Sequence, residues 1–200
     1  MKEILIATKN AGKIKELGGL LESLPVQLRS LNDFPKTIEP EETGATFVEN
    51  AVLKAKSYAQ QTGGWALADD SGLEVEALNN APGIFSARYA GATATDKERI
   101  EKLLKELDGI ENRAARFVCA MAVADETGEI KFVAEGVCSG KIALAASGEG
   151  GFGYDPVFIP DGFSATFGEL SGEIKQQISH RARATLKIIQ YLRGIYANLG

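Results

Sequence analysis

Apolar positions along this chain fall in short blocks whose period alternates between that of a strand and that of a helix. Ile4-Leu5-Ile6-Ala7 is a continuous apolar run of strand length. The polar turn Thr8 to Lys13 follows, and Ile14, Leu17, Leu20, Leu21 and Leu24 then recur at helical spacing. Thr46-Phe47-Val48-Glu49 has the form of a capping box, opening a helix to about Gln61 that stops at Gly63-Gly64. Trp65 to Ala68 reads as a short strand ending in Asp69-Asp70-Ser71-Gly72. After the turn Asn79-Asn80-Ala81-Pro82-Gly83, a helix is predicted from Asp96 to Leu107. Ala115 to Ala124 and Glu129 to Val137 are strands, and Asp125-Glu126-Thr127-Gly128 between them signals a hairpin. Lys141 to Ala145 and Pro156 to Ile159 read as two more. The last helix starts near Ser179 and presents Leu186, Ile189, Leu192 and Tyr196 on one face. Strands and helices alternate at first and hairpins dominate the middle, so the pattern predicts an α/β protein with a mixed sheet.

Composition narrows the function more than the fold. The 200 residues can bury a proper core as one domain or two small lobes. At 44% apolar and 24% charged, the chain reads as an ordinary soluble protein. No apolar run reaches the roughly 18 residues of a membrane span. Met1-Lys2-Glu3-Ile4-Leu5-Ile6-Ala7 is too short for the apolar region of a signal peptide. Cys119 and Cys138 lack metal-type spacing and lie among strand formers, so buried reduced thiols and a cytoplasmic location are expected. A net charge of −5 argues against a nucleic-acid backbone as partner. Lysines and arginines stand singly inside particular motifs, which suits a small anion captured locally.

Five groups of residues carry candidate chemistry. Gly148-Glu149-Gly150-Gly151-Phe152-Gly153-Tyr154-Asp155-Pro156 joins a glycine-rich backbone to two rings able to stack and a carboxylate able to accept hydrogen bonds. Thr8-Lys9-Asn10-Ala11-Gly12-Lys13 opens a helix, where unpaired amides and the dipole favour phosphate. It is not a P-loop, because Ala7 and Ile14 stand where that motif needs Gly and Ser or Thr. The acids Glu39, Glu41, Glu42, Asp69 and Asp70 offer split carboxylates of the kind Mg²⁺ shares with substrate phosphates, and on a strand only one of Asp69 and Asp70 faces any given cleft. Asn50 and Lys54 lie four apart on one helix face near the acidic loop. Lys175 precedes Ser179-His180-Arg181, where an N-cap serine, the chain's one histidine and an arginine gather at a helix start. Each segment alone also fits an ordinary solvated turn.

Taken in order, the segments resemble the inosine/xanthosine triphosphate pyrophosphatase, or Ham1-like, family. The matching text is Thr8 to Lys13, Glu41-Glu42-Thr43-Gly44, Thr46 to Ala51, Ala68 to Leu73, Pro82 to Gly91, Gly150 to Pro156 and Ser179-His180-Arg181. One departure is Asn79-Asn80, where that family often has glycines. The resemblance implies a single domain over residues 1–200, two-lobed, with a long mixed sheet and an active-site cleft between the lobes, usually a homodimer. It implies Mg²⁺-dependent hydrolysis of a nucleoside triphosphate to monophosphate and pyrophosphate, with no nucleic acid or membrane as partner. On this carry-over Thr8, Lys9, Asn10, Ala11, Gly12 and Lys13 hold the phosphates, with Lys54 beside them. Asp70 is the general base, Ser71 touches the nucleotide, and Phe152, Gly153, Tyr154, Asp155, Lys175, His180 and Arg181 hold the purine and its flank. A glutamate of the acidic loop joins Asp70 at the metal; Glu41 and Glu42 are adjacent, and Glu42 is favoured. Two rivals are a septum-associated pyrophosphatase, which carries a Ser/Arg-rich N-terminal loop, and a nucleotide sensor without catalysis.

Overall fold

The computed structural model of the chain describes residues 3–197, and of residues 196 and 197 the backbone alone. The Tyr196 side chain, predicted on the last helix's apolar face, lies outside the described residues. Six strands form one sheet in the order β2-β1-β3-β4-β5-β6: β1 (Glu3–Ile6), β2 (Gln27–Ser30), β3 (Ala66–Val75), β4 (Ala114–Ala124), β5 (Ile130–Ile142) and β6 (Phe158–Pro160). β1 pairs in parallel with β2 and β3, and β5 pairs antiparallel with β6, so the sheet is mixed. The helices are α1 (Ala11–Leu21), α2 (Phe47–Thr62), α3 (Asp96–Glu106), α4 (Gly172–Ile178) and α5 (His180–Ala197).

The chain divides into two compact units. The first comprises the residues up to Asp70, Cys119–Gly136 and those from Arg181 onward; the second comprises Ser71–Val118 and Val137–His180. The core of the first gathers Ile4 and Ile6 of β1, Leu17 and Leu21 of α1, Met121 and Val123 of β4, and Ile188 and Leu192 of α5. That of the second gathers Leu73 and Val75 of β3, Leu103 of α3, Phe117 of β4, Phe158 of β6, Tyr154 and Phe167.

Several predicted boundaries move, each for a physical reason. The helix predicted from Ile14 begins at Ala11, because Asn10 takes the N-cap and its side chain accepts the Lys13 amide. α1 ends at Leu21, so Leu24 is buried beyond it. α2 starts after Thr46 as predicted, but the return bond of the box runs from the Ala45 amide to Glu49, one residue earlier than the pattern. The strand predicted to stop at Ala68 continues to Val75, carrying Asp69-Asp70-Ser71-Gly72 inside it, since ion pairs and hydrogen bonds satisfy these polar groups in place. β5 runs unbroken through Gly136 and Gly140, absorbing Lys141 and Ile142, so 141–145 is not a separate strand. At Gly140 a side chain would meet the Phe158 ring and the backbone of Ile159 on β6, the close approach that glycine permits. Pro156 and Val157 lie in a 3₁₀ turn (Asp155–Val157), and only Phe158–Pro160 is strand. On α5 the buried stripe is Ala184, Thr185, Ile188, Ile189 and Leu192, while Leu186 is 57% exposed. Thr185 joins it because its hydroxyl donates back to the Arg181 carbonyl at 2.7 Å. Asn79 and Asn80 both take positive φ, 53° and 65°, a conformation asparagine tolerates.

Candidate active site

β1 delivers the chain to the start of α1, where Thr8 Oγ1 accepts the Asn10 amide at 3.2 Å and Asn10 Oδ1 accepts the Lys13 amide at 3.0 Å. The expected polar turn is thus half helix: Ala11, Gly12 and Lys13 form its first turn. The amides of Ala11 and Gly12 have no acceptor within the helix, and the dipole adds positive potential there. Lys9 reaches outward to Glu39 at 3.1 Å, an exposed pair.

Asp69 and Asp70 follow one another in β3, so their side chains leave on opposite faces and meet different partners. Asp69, 2% exposed, accepts Lys13 Nζ at 2.9 Å and Arg181 Nη2 at 3.5 Å on one oxygen, Oδ2. Arg181, equally buried, also pairs with Glu16 of α1. Burial pushes the Asp69 carboxyl up, but Lys13 and Arg181 outweigh it and hold it far below the usual carboxylate range. Asp69 also helps burial raise the thiol of Cys119 to about 12, so that cysteine stays protonated.

Asp70 faces α2. Its Oδ1 lies 3.2 Å from Lys54 Nζ, and its Oδ2 accepts Asn50 Nδ2 at 3.1 Å. Lys54 Nζ also touches Glu42 Oε1 at 2.7 Å, so two carboxylates converge on one cationic centre. Asn50 Oδ1 accepts the Gly44 amide at 2.8 Å and pins the acidic loop beside the helix. Glu41 is exposed, and Glu42 is the half-buried member that reaches this centre. Burial and the Glu42 charge raise the Asp70 carboxyl above its ordinary value despite Lys54. For Lys54 the balance is reversed: burial lowers it, and Asp70, Asp69 and Glu42 more than restore it. Two neighbouring acids with opposite shifts are the usual sign of divided labour between a fixed anion and a proton acceptor.

The remaining candidates belong to the second unit, whose boundaries fall at Asp70/Ser71 and His180/Arg181. Asp155 is buried, accepts the Phe152 amide at 2.8 Å and pairs with Lys175 of α4. Lys175 Nζ lies 4.8 Å from the centre of the half-buried Phe152 ring. Tyr154 is not the stacking face its sequence context suggests. Its ring is core, and its hydroxyl donates to the Ser86 carbonyl at 3.0 Å. Phe152, by contrast, is half-buried and outside that core. His180 stacks on Phe117 with centroids 4.7 Å apart and planes 12° from parallel. Ser71 is half-buried in β3, and Gly153 has φ 62°.

The first unit therefore brings together Lys13, Glu42, Lys54, Asp70 and Arg181, and the second brings together Phe152, Gly153, Asp155 and Lys175. The sequence reading overlooked Glu16, whose spacing three residues after Lys13 places both on one helical face. It also overlooked Phe117, which had no signal beyond strand propensity.

A profile of the Ham1 family matches residues 4–191 of the chain. A dITP/XTP pyrophosphatase of Geobacillus kaustophilus (strain HTA426) is 50% identical over 202 residues, covering 100% of this chain and 98% of the relative. One of Prochlorococcus marinus (strain MIT 9313) is 53% identical over 181 residues, 90% of this chain and 86% of the relative. Among solved structures, a HAM1 protein from Coxiella burnetii superposes with a TM-score of 0.89 at 43% identity, covering 97% of this chain and 100% of its own.

Proposed function

Since the chain belongs to the Ham1 family, we propose that it hydrolyses deaminated purine nucleoside triphosphates (ITP, dITP and XTP) to the monophosphate and pyrophosphate. The observation that carries the reading is the sorting of Asp69 and Asp70 into a permanent anion beneath Lys13 and a carboxylate with raised proton affinity beside Lys54.

Asp70 orients a water and takes its proton as the oxygen attacks the α-phosphorus. Burial and the Glu42 charge raise its proton affinity, which favours taking the proton from the water. Lys13 and Lys54 sit against the negative charge that grows on the departing pyrophosphate, and the α1 amides hold the chain of phosphates. The chemistry is mostly positioning and charge stabilisation.

Glu42 and Asp70 would hold Mg²⁺. Their two hard oxygens converge on one cationic centre, now the Lys54 ammonium. Among the described residues no group of three or more acidic, His or Cys side chains could hold a metal. That donor set fits Mg²⁺, which takes one or two carboxylates and leaves the remaining positions to water and phosphate. When bound, the ion supplies positive charge that lets a polyanion approach two carboxylates and stabilises the leaving group. A sensor without catalysis has no use for that acidic pair.

The purine is read by Phe152, which offers a flat face, and by Lys175 and Asp155, an adjacent donor and acceptor. Hypoxanthine and xanthine present an acceptor at O6 and a donor at N1–H, the complement of that pair. Adenine presents the reverse and leaves buried groups unpaired, a penalty that reaches about 10⁴-fold in such sites. Arg181, engaged by Asp69 and Glu16, supports the phosphate end more directly than the base. The resemblance also carries a homodimer, which sedimentation tests.

Incubation with a panel of nucleoside triphosphates and Mg²⁺, with both products identified, tests the proposal. ITP and XTP should give monophosphate and pyrophosphate far faster than ATP. Diphosphate with orthophosphate, or binding of ITP without turnover, would reject it.

A further inference from the structure

Phe152 stands between two glycines of positive φ, Gly151 at 75° and Gly153 at 62°, in a loop that has no ladder of its own to fix it. Its two flanking peptide planes are nevertheless both held. The Phe152 amide donates to Asp155 Oδ2 at 2.8 Å, and the Gly153 amide donates to Asp96 Oδ2 at 2.7 Å. Together these bonds set the φ and ψ of Phe152 and so the direction of its ring.

Asp96 is the first residue of α3, where an acid is commonplace for its effect on the helix dipole. Here the cap is already complete without it: Thr95 Oγ1 accepts the Glu98 amide and Glu98 Oε2 accepts the Thr95 amide at 2.7 Å. The Asp96 carboxylate is turned to the glycine loop and held there by Arg99, whose Nη1 also donates to the Ala87 carbonyl at 2.5 Å. Leu73 donates its amide to Ser86 Oγ at 2.9 Å, and Tyr154 donates to the Ser86 carbonyl, so the segment Arg99 grips is itself anchored. The glycine loop is thus tied at Gly153 to a helix and, through Arg99, to the 82–91 segment.

We infer that Asp96 is a positioning residue for purine recognition, acting through the Gly153 amide to aim the Phe152 ring. The inference deepens the proposed function and rests on its assignment of the purine to this loop. Asp96 touches none of the groups assigned to the phosphates, so its loss should act on binding and selectivity and not on the chemical step.

Steady-state kinetics with ITP and ATP on wild type, Asp96→Ala and Asp96→Asn, with thermal unfolding of each, test it. Asp96→Ala should raise KM for ITP about tenfold and narrow the ITP-over-ATP ratio of kcat/KM, while kcat stays within about twofold. Asp96→Asn keeps an oxygen acceptor for Gly153 and should recover most of the KM. A Tm close to wild type in both would exclude general loosening. If wild type prefers ITP and Asp96→Ala leaves KM and the ratio unmoved, the inference falls and the function stands. Failure of Asp96→Asn to rescue would also overturn it, and a wild type with no ITP preference would overturn both.

Discussion

The two units hold their functional groups by opposite means. In the first, charges are locked to one another on regular elements: Lys13 on α1, Asp69 and Asp70 on β3, Lys54 on α2 and Arg181 on α5. In the second, beside the buried Lys175–Asp155 pair, the candidate groups sit on a glycine loop held by single hydrogen bonds to carboxylates and by contact with the 166–169 segment. Ion pairs on strands and helices suit groups that, on the proposed function, meet phosphate charge in one geometry. A glycine loop lets backbone approach a flat ligand closely. Damage to the first unit should therefore appear in kcat or in global stability, and damage to the second in KM and base preference.

The strongest break in that contrast is Asp70→Asn. Removing a general base costs about 10²–10⁴ in rate, and losing the charge at the proposed metal site adds to it, so turnover should fall at least about 10³-fold. Stability should move the other way. The folded protein raises the Asp70 pKa, so the folded state binds its proton more tightly and ionisation weakens the fold as pH rises through the folded value. In EDTA near neutral pH, Tm of the variant should equal or exceed that of wild type. A fall of several degrees would make Asp70 a structural residue first.

Asp69→Asn gives the opposite result. It leaves Arg181 and Lys13 short of a buried counter-charge, and breaking such a pair costs about 3–5 kcal/mol. The folded pKa lies below the ordinary 3.8, so the charge contributes stability above that value and loses it as pH falls toward the folded one. Denaturant titrations should show a large gap between wild type and variant at neutral pH that narrows progressively as pH falls below about 4. A gap that persists in acid would assign the loss to packing.

The same contrast governs how much was readable beforehand. Regular elements with strong apolar period were legible: β1, α2, α3 and β4 lie within a residue or so of prediction. β2 was not, because Gln-Leu-Arg-Ser has no strand pattern and becomes strand through pairing with β1. α4 was not, because seven residues carry too little periodicity, although it places Lys175. Asp69-Asp70-Ser71-Gly72 looked like a turn by composition; tertiary ion pairs hold it as strand. For the site, strand alternation separated Asp69 from Asp70, and the two carboxylates do meet different partners. What sequence could not show was which charge each cation would meet. Arg181 beside His180 suggested a joint acceptor site, yet the guanidinium goes to Asp69 and Glu16 while the imidazole stacks on Phe117.

In the second unit, Gly151→Ala should sharpen the comparison. A Cβ at Gly151 would overlap the Asp155 carboxylate, and its φ of 75° strains any residue with a side chain by about 1–2 kcal/mol. The loop should shift, raising KM for ITP about tenfold and eroding selectivity, with kcat nearly unchanged. A matching fall in kcat would show that the glycine loop also sets the chemical geometry.

The smallest effect belongs to Lys9→Ala. The Lys9–Glu39 pair is exposed on both sides, 58% and 64%, and pairs of that kind contribute about 0–1 kcal/mol. Tm should hardly move. If Lys9 assists the triphosphate, it does so through solvent as a long-range charge and not as part of the locked network. KM should then rise about threefold at low salt, and the difference should vanish as the screening length shrinks from about 10 Å at 0.1 M salt to about 3 Å at 1 M. A salt-independent increase would move Lys9 into direct phosphate contact, beside Lys13. No increase at any salt would leave the phosphates to the α1 amides, Lys13 and Lys54.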